Sequence, residues 1–175
     1  MTSSDETAFR PALVDELRDR VGRVVTSDRR GTGRRIGIVG AQFNGGITER
    51  LLEGALAGLE EYGVSRRDIT VLWVPGAFEV PLAAQALVEA DVDGVITLGA
   101  VIRGDTGHYE VVANECARGV QQVQLESGVP VIFGVLTVNT VDQALERSLP
   151  DETNKGRESA LTVLDMISVL DEVAP

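Results

Sequence analysis

Four apolar runs, separated by longer stretches of helical periodicity, constrain this chain more than any other feature. They are IGIVGA (36–41), ITVLWV (69–74), GVITLGA (94–100) and VPVIFGVL (129–136). None alternates apolar and polar residues as a half-exposed strand would, so each is expected to be buried on both faces. The intervals read differently. ITERLLEGALAGLEEY (47–62) sets Ile47, Leu51, Leu52, Ala55, Leu56 and Leu59 on one helical face, and Gly63 supplies a stop. FEVPLAAQALVEA (78–90) suits a helix with Pro81 in its first turn. Residues 108–127 suit another. Thr140 and Gln143 form a capping box for a helix to about Leu149, Pro150 interrupts, and a last helix is expected from about Asn154 to Leu170. Strands and helices in strict alternation imply a parallel sheet with helices on both faces. The expected fold is α/β, a three-layer α/β/α sandwich of flavodoxin-like character with a four-stranded parallel sheet.

Composition narrows the function classes. A length of 175 residues suits one domain with a proper core. Aromatics make up only 4%, so Val, Leu, Ile and Ala must fill that core. The net charge of −11 repels nucleic-acid phosphate, which argues against a nucleic-acid partner. Cys116 is the only cysteine and His108 the only histidine, so a transition-metal site is not expected. No basic segment followed by an apolar run marks the start as a secretory signal, and no apolar stretch reaches the roughly 20 residues a membrane helix needs. The expectation is a cytoplasmic protein without a membrane partner.

The first 32 residues read as an N-terminal extension, and residues 33–175 as the folded domain. Phe9, Leu13, Val14, Leu17 and Val21 recur at helical spacing, giving a short helix over 11–22. SDRRGTGRR (27–35) is polar and glycine-rich and reads as a mobile linker. Its Gly31-x-Gly33 precedes a strand instead of following one, so it is no dinucleotide fingerprint.

Ligands of parallel α/β sheets sit beyond the carboxyl ends of the strands. Here those positions carry QFN (42–44), PGAFE (75–79), VIRGDTGH (101–108) and TVNT (137–140). Phe43, between Gln42 and Asn44, is placed to stack on a flat ligand; Phe78 and Phe133 serve equally well as core caps. Glu79 either accepts from ligand hydroxyls or complements a helix start. Gly104-Asp105-Thr106-Gly107 joins a strand to a helix, where free N–H groups hold anions such as phosphate. His108 follows directly, and an imidazole exchanges protons near neutral pH. Arg147 is either a phosphate clamp or a helix-end surface arginine. Lys155 and Glu158 form a charged pair or support Arg147. No GxxxxGK[ST] occurs, which excludes a P-loop.

Taken in order, IGIVGAQFN, WVPGAFEVP, TLGAVIRGDTGHYE, NECARGV, GVPVIFGVLT, QALER and NKGRESAL with the following LDM resemble the 6,7-dimethyl-8-ribityllumazine synthase family from about Gly33 to Leu170. The resemblance implies condensation of 5-amino-6-(D-ribitylamino)uracil with 3,4-dihydroxy-2-butanone 4-phosphate, without cofactor or metal. It implies that Phe43 stacks on the pyrimidine, that Ala77, Phe78 and Glu79 contact the same substrate, and that Ala100, Val101 and Ile102 hold it by backbone hydrogen bonds. Asp105, Thr106 and Arg147 would meet the phosphate, and His108 would transfer protons. Phe133 and Arg147 would come from the neighbouring subunit of a homopentamer. VGRVVTS (21–27) would join a neighbour's sheet. Two departures stand out: Gln42 replaces a basic residue, and SLPDET (148–153) replaces a turn usually containing glycine and lysine. The runner-up enzyme is a related archaeal-type riboflavin synthase, and the alternative of another class is a non-catalytic flavin- or lumazine-binding or shell-forming relative. The full PGAFE and GDTGH set argues against the riboflavin synthase, and Phe43, His108 and Arg147 together argue against the non-catalytic relative.

Overall fold

A computed structural model describes residues 9–174 of the chain. Its elements follow the expected alternation: α1 (Ala12–Arg18), β1 (Ile36–Ala41), α2 (Gly45–Glu61), β2 (Ile69–Val74), α3 (Val80–Glu89), β3 (Gly94–Ile102), α4 (His108–Ser127), β4 (Val131–Val138), α5 (Val141–Glu146) and α6 (Lys155–Val173). Single 3₁₀ turns precede β2 (Arg66–Asp68) and α3 (Ala77–Glu79). The four strands are parallel in the order β2-β1-β3-β4. The order reverses between β1 and β3, so the crevice at that switch point is where the topology opens a binding site.

Burial follows strand position. All of β1 is buried, and β3 is buried from Gly94 to Val101, because helices cover both faces of the two central strands. One core joins α2 and α6 to the sheet through Ile36, Ile38, Leu51, Leu59, Ile96, Leu98 and Leu164. The other joins α3 and α4 through Val39, Val80, Leu87, Val95, Cys116 and Val120. Each such aliphatic side chain taken from water contributes roughly 1.5–3 kcal/mol. The edge strand β2 is less covered, and Val71 and Trp73 stay 36% and 41% exposed, so its apolar run does not mean burial on both faces.

Helices α2 and α6 cross very closely. A Cβ at Gly156 would lie 1.8 Å from the Leu51 carbonyl oxygen, and one at Gly54 would lie 2.2 Å from Asn154 Oδ1. Asn154 is the N-cap of α6, and its Oδ1 accepts from the Gly156 and Arg157 N–H groups at 2.8 and 3.2 Å. Its Nδ2 donates to the carbonyls of Arg50 and Leu149, so one buried amide joins the cap, α2 and the preceding turn.

Several boundaries differ from the sequence reading. The fourth strand starts at Val131 and runs to Val138, because Gly128 (φ 72°) closes α4 and Pro130 has no N–H for the ladder. Helix α5 stops at Glu146, three residues early: Arg147 caps it and the Ser148 hydroxyl takes the Leu145 carbonyl. The first helix covers only 12–18 and buries no residue, with Phe9 72% exposed. The segment read as a mobile linker is instead tied to α6. Arg29 donates from Nε and Nη2 to both Asp165 oxygens at 2.7 and 3.0 Å, Arg34 pairs with Asp171, and the Ser168 hydroxyl bonds to Asp28. Arginines that look like loose polar residues in the sequence are matched there by acidic residues spaced along the last helix.

Candidate active site

The site begins with where the strands end. Strand β1 continues its run beside β2 past Ala41: Gln42 N–H donates to the Val74 carbonyl at 2.8 Å and Phe43 N–H to the Pro75 carbonyl at 3.1 Å. This carries Phe43 out beyond the sheet, 72% exposed. Asn44 then takes a left-handed conformation (φ 58°), which asparagine tolerates better than most residues, and turns the chain into α2. Its side chain does not cap that helix. Its Nδ2 donates to the Ala100 carbonyl at 2.8 Å, tying the β1 loop to β3.

Strand β3 outruns β1. The β1–β3 register ends at Gly40 with Leu98, whereas β3–β4 pairing continues to Ile102 with Val138. Val95 and Arg103 both donate their N–H groups toward β4, so alternation turns the N–H and C=O of Ala100 and Ile102 to the opposite, open side. The main chain of Val101 faces β4. A flat heterocycle lying past the end of β1 therefore meets the open-side backbone of Ala100 and Ile102, with the Ala100 carbonyl already engaged by Asn44.

On the α3 side of this edge a cavity of about 720 Å³ opens. Its walls include Phe43, Ala77, Phe78, Glu79, Ala100, Val101, Ile102, Thr106 and His108, nine of the residues expected from the sequence. Pro75, Gly76, Gly104, Tyr109, Val111 and Val112 complete them. The 3₁₀ turn at Ala77–Glu79 places Phe78 and Glu79 at the mouth, with Ala77 buried beneath. A Cβ at Gly76 would come within 3.3 Å of the Glu79 carboxylate, so glycine clears room for that group.

The far wall is the start of α4. Gly107 is its N-cap and His108 its first residue, and no side chain caps the helix. His108 N–H reaches Thr106 Oγ1 at 3.4 Å, and no hydrogen bond restrains the imidazole among the described residues. A 20-residue helix thus presents free N–H groups and a partial positive charge to the cavity, suited to an anion. The Asp105 side chain is exposed and is not part of the wall.

Four other expected residues lie elsewhere. Phe133 stands within β4, 38% exposed. Arg147 caps α5, where it donates to the Gln143 carbonyl at 3.0 Å and pairs with Glu146 at 3.6 Å. Lys155 and Glu158 pair with each other at the start of α6, and the Lys155 N–H meets the Arg147 carbonyl at 2.9 Å. None of the four reaches the cavity within one chain. Cys116 is fully buried, and burial pushes its thiol up to about 12, so it is no nucleophile at neutral pH. A larger hollow of about 830 Å³ lies on the α2 side of Ile102, but it contains no histidine and shares only Asn44's loop and Ile102 with the edge described above.

A family model for 6,7-dimethyl-8-ribityllumazine synthase matches residues 33–171. The chain belongs to that family. Its activity is that of a lumazine synthase, a transferase of riboflavin biosynthesis, and lumazine synthases are oligomeric enzymes. The matched span takes in every strand, α2 to α5 and α6 as far as Asp171, leaving out the α1 region, most of the segment that lies against α6 and the last four residues. No described helix is long and apolar enough to cross a membrane. Sequence reasoning overlooked Asn44 as the link between β1 and β3, and Tyr109 as a wall. An asparagine between a strand and the helix that it precedes is a recognisable left-handed turn, but its partner 56 residues away is a property of the folded sheet.

Proposed function

We propose that the cavity beyond β1 and β3 is where 5-amino-6-(D-ribitylamino)uracil and 3,4-dihydroxy-2-butanone 4-phosphate condense. The observation that carries this is convergence. A single cavity gathers an exposed aromatic ring, the unpaired end of β3, a carboxylate and an uncapped helix start bearing the only histidine. Phe43 stacks on the pyrimidine, and the main chain of Ala100 and Ile102 hydrogen-bonds its edge while Val101 forms the floor. Phe78 and Ala77 flank the ring, and Glu79 accepts from the ribityl hydroxyls. The phosphate of the second substrate lies at Gly104–Gly107 with Thr106, and the Asp105 carboxylate turns away from it.

The chemistry suits these groups. The substrate amine attacks the ketone, and water leaves as the imine forms. A carbon-bound proton is removed and phosphate departs by elimination. Attack of the ribitylamino nitrogen closes the ring with loss of a second water. His108 moves protons in these steps, and the α4 N–H groups stabilise the departing dianion. Holding two substrates in contact supplies much of the acceleration, roughly 7–11 kcal/mol in favourable systems.

Arg147 and Phe133 complete the site from a neighbouring subunit of a homopentamer. Their distance from the cavity in their own chain supports this reading, as does the half-covered β2 edge, against which residues 21–27 of another subunit would pair. Lys155 and Glu158 hold Arg147 in place. On this reading residues 1–32 are an extension, 33–175 are the catalytic domain, and the enzyme works in the cytoplasm. The test is to mix the purified protein with both substrates and follow lumazine absorbance and phosphate release. Product well above the uncatalysed background is expected; background rates from an intact oligomer would refute the catalytic reading.

A further inference from the structure

Arg103 follows β3 and lies outside the cavity wall, yet it makes more directed contacts than any other arginine near the site. Its N–H donates to the Val138 carbonyl at 2.9 Å, extending the β3–β4 ladder by one residue. Its Nε donates to Asn139 Oδ1 at 3.0 Å. Its Nη1 donates to Glu110 Oε1, and the guanidinium carbon lies 4.2 Å above the centre of the Tyr109 ring. Tyr109 and Glu110 are the two residues after His108 and share the first turn of α4. Asn139 in turn gives its N–H to Gln143 Oε1 at 2.8 Å, fixing the entry to α5.

We infer that Arg103 is a positioning residue for His108: it clamps the first turn of α4 against the end of β4, so that the imidazole and the free helix N–H groups keep a fixed aim into the cavity. The inference rests on the reading of His108 as the proton carrier. The loop from Gly104 to Gly107 contains two glycines, and the helix it leads into has no side-chain cap, so little else fixes the angle of that first turn. The guanidinium supplies what is missing. One donor grips Asn139, another grips Glu110, and the flat face lies on Tyr109. Only arginine offers these three at once; lysine is a point charge on a flexible stem. The Arg103 guanidinium, with a smaller contribution from the backbone N–H of Glu110 itself, holds the Glu110 carboxyl below the usual range, consistent with a standing ion pair. The clamp also links the parts of the chain that face two neighbouring sites. It joins the helix that starts with His108 to the loop that leads through α5 to Arg147.

The test combines kinetics with the histidine signal. Arg103→Met and Arg103→Lys should both retain the oligomer and most of the thermal stability. Both should lower kcat about ten- to a hundredfold, with KM for the pyrimidine substrate nearly unchanged, as misplacement of a reacting group does. In a His108→Ala background, Arg103→Met should then cost little further activity, because the group it positions is gone. Full activity in Arg103→Lys would reduce the role to charge and overturn the inference, as would an equal loss in both backgrounds. Because His108 is the only histidine, its imidazole resonance can be observed alone. In Arg103→Met that resonance should shift and broaden, whether or not the protein turns over substrate. An unchanged resonance in a folded Arg103→Met variant would refute the clamp, while absence of product from the wild type would count only against the proposed function. If both Arg103 variants fail to fold, Asn139→Ala removes the Nε partner alone, and the same two readouts apply.

Discussion

At the scale of single residues, two side chains divide the proposed chemistry between proton and phosphate. His108 lines the cavity and on the proposed reading moves protons without holding either substrate, so His108→Ala should lower kcat about a hundredfold or more while both KM values stay near wild type. A collapse of substrate binding instead would make it structural. Arg147→Ala should chiefly raise KM for the phosphate-bearing substrate, read from its saturation curve; an unchanged curve would remove Arg147 from the clamp. His108 was legible because a lone histidine followed a glycine-rich strand-to-helix loop. Arg147 read equally as a phosphate clamp or as an ordinary helix-end arginine, and only the resemblance favoured the clamp. Its own contacts, to Gln143 and Glu146, are those of a surface residue. Which of these roles a side chain plays depends on what stands opposite it, and a single chain does not contain that information.

Among the elements, the central strands were the most legible and the ends of elements the least. Continuous apolar runs identify β1 and β3 because helices cover them on both sides. The same signal in β2 is ambiguous, because an edge strand with an exposed tryptophan reads like a buried one. Register is a pairing property, so the overhang of β3 past β1, which creates the open backbone edge, has no local signature. Close helix contacts are similarly hidden. Gly156 and Gly128 look alike in sequence, but a Cβ at Gly156 would meet backbone at 1.8 Å, whereas at Gly128 it would meet nothing within 4 Å. Gly156→Ala should therefore force α2 and α6 apart and cost about 3 kcal/mol or more. Gly128→Ala should cost about 1–2 kcal/mol, from its left-handed backbone alone. Urea unfolding midpoints would rank the two, and equal losses would mean that the α2–α6 crossing relaxes more easily than its geometry implies.

For the whole molecule, the cavity is incomplete. It offers an exposed aromatic ring, open backbone groups, a helix start and a histidine, but no arginine or lysine for the phosphate dianion of the proposed reaction. The chain as a whole is acidic, with a formal charge of −11, so a phosphorylated substrate is repelled at long range and must be captured by local positive groups. A ring of subunits resolves this if the contacts are head-to-tail, because each interface then joins the His108 face of one subunit to the Arg147 face of the next. That geometry has a consequence that a self-contained site cannot produce. A His108→Ala subunit still offers a good Arg147 to its neighbour, and an Arg147→Ala subunit still offers a good His108. Each homo-oligomer should be impaired, the first in kcat and the second in phosphate-substrate binding. Unfolding the two together in equal amounts and refolding them as mixed rings should restore intact sites wherever an Arg147→Ala subunit donates its His108 to an interface with a His108→Ala neighbour. With random mixing, about a quarter of the interfaces have both wild-type groups, so activity should recover to about a quarter of a refolded wild-type control. The measurement is the lumazine rate at low phosphate substrate, with each variant refolded alone as the baseline. Recovery no greater than the mean of the two baselines would show that His108 and Arg147 do not meet across a subunit boundary.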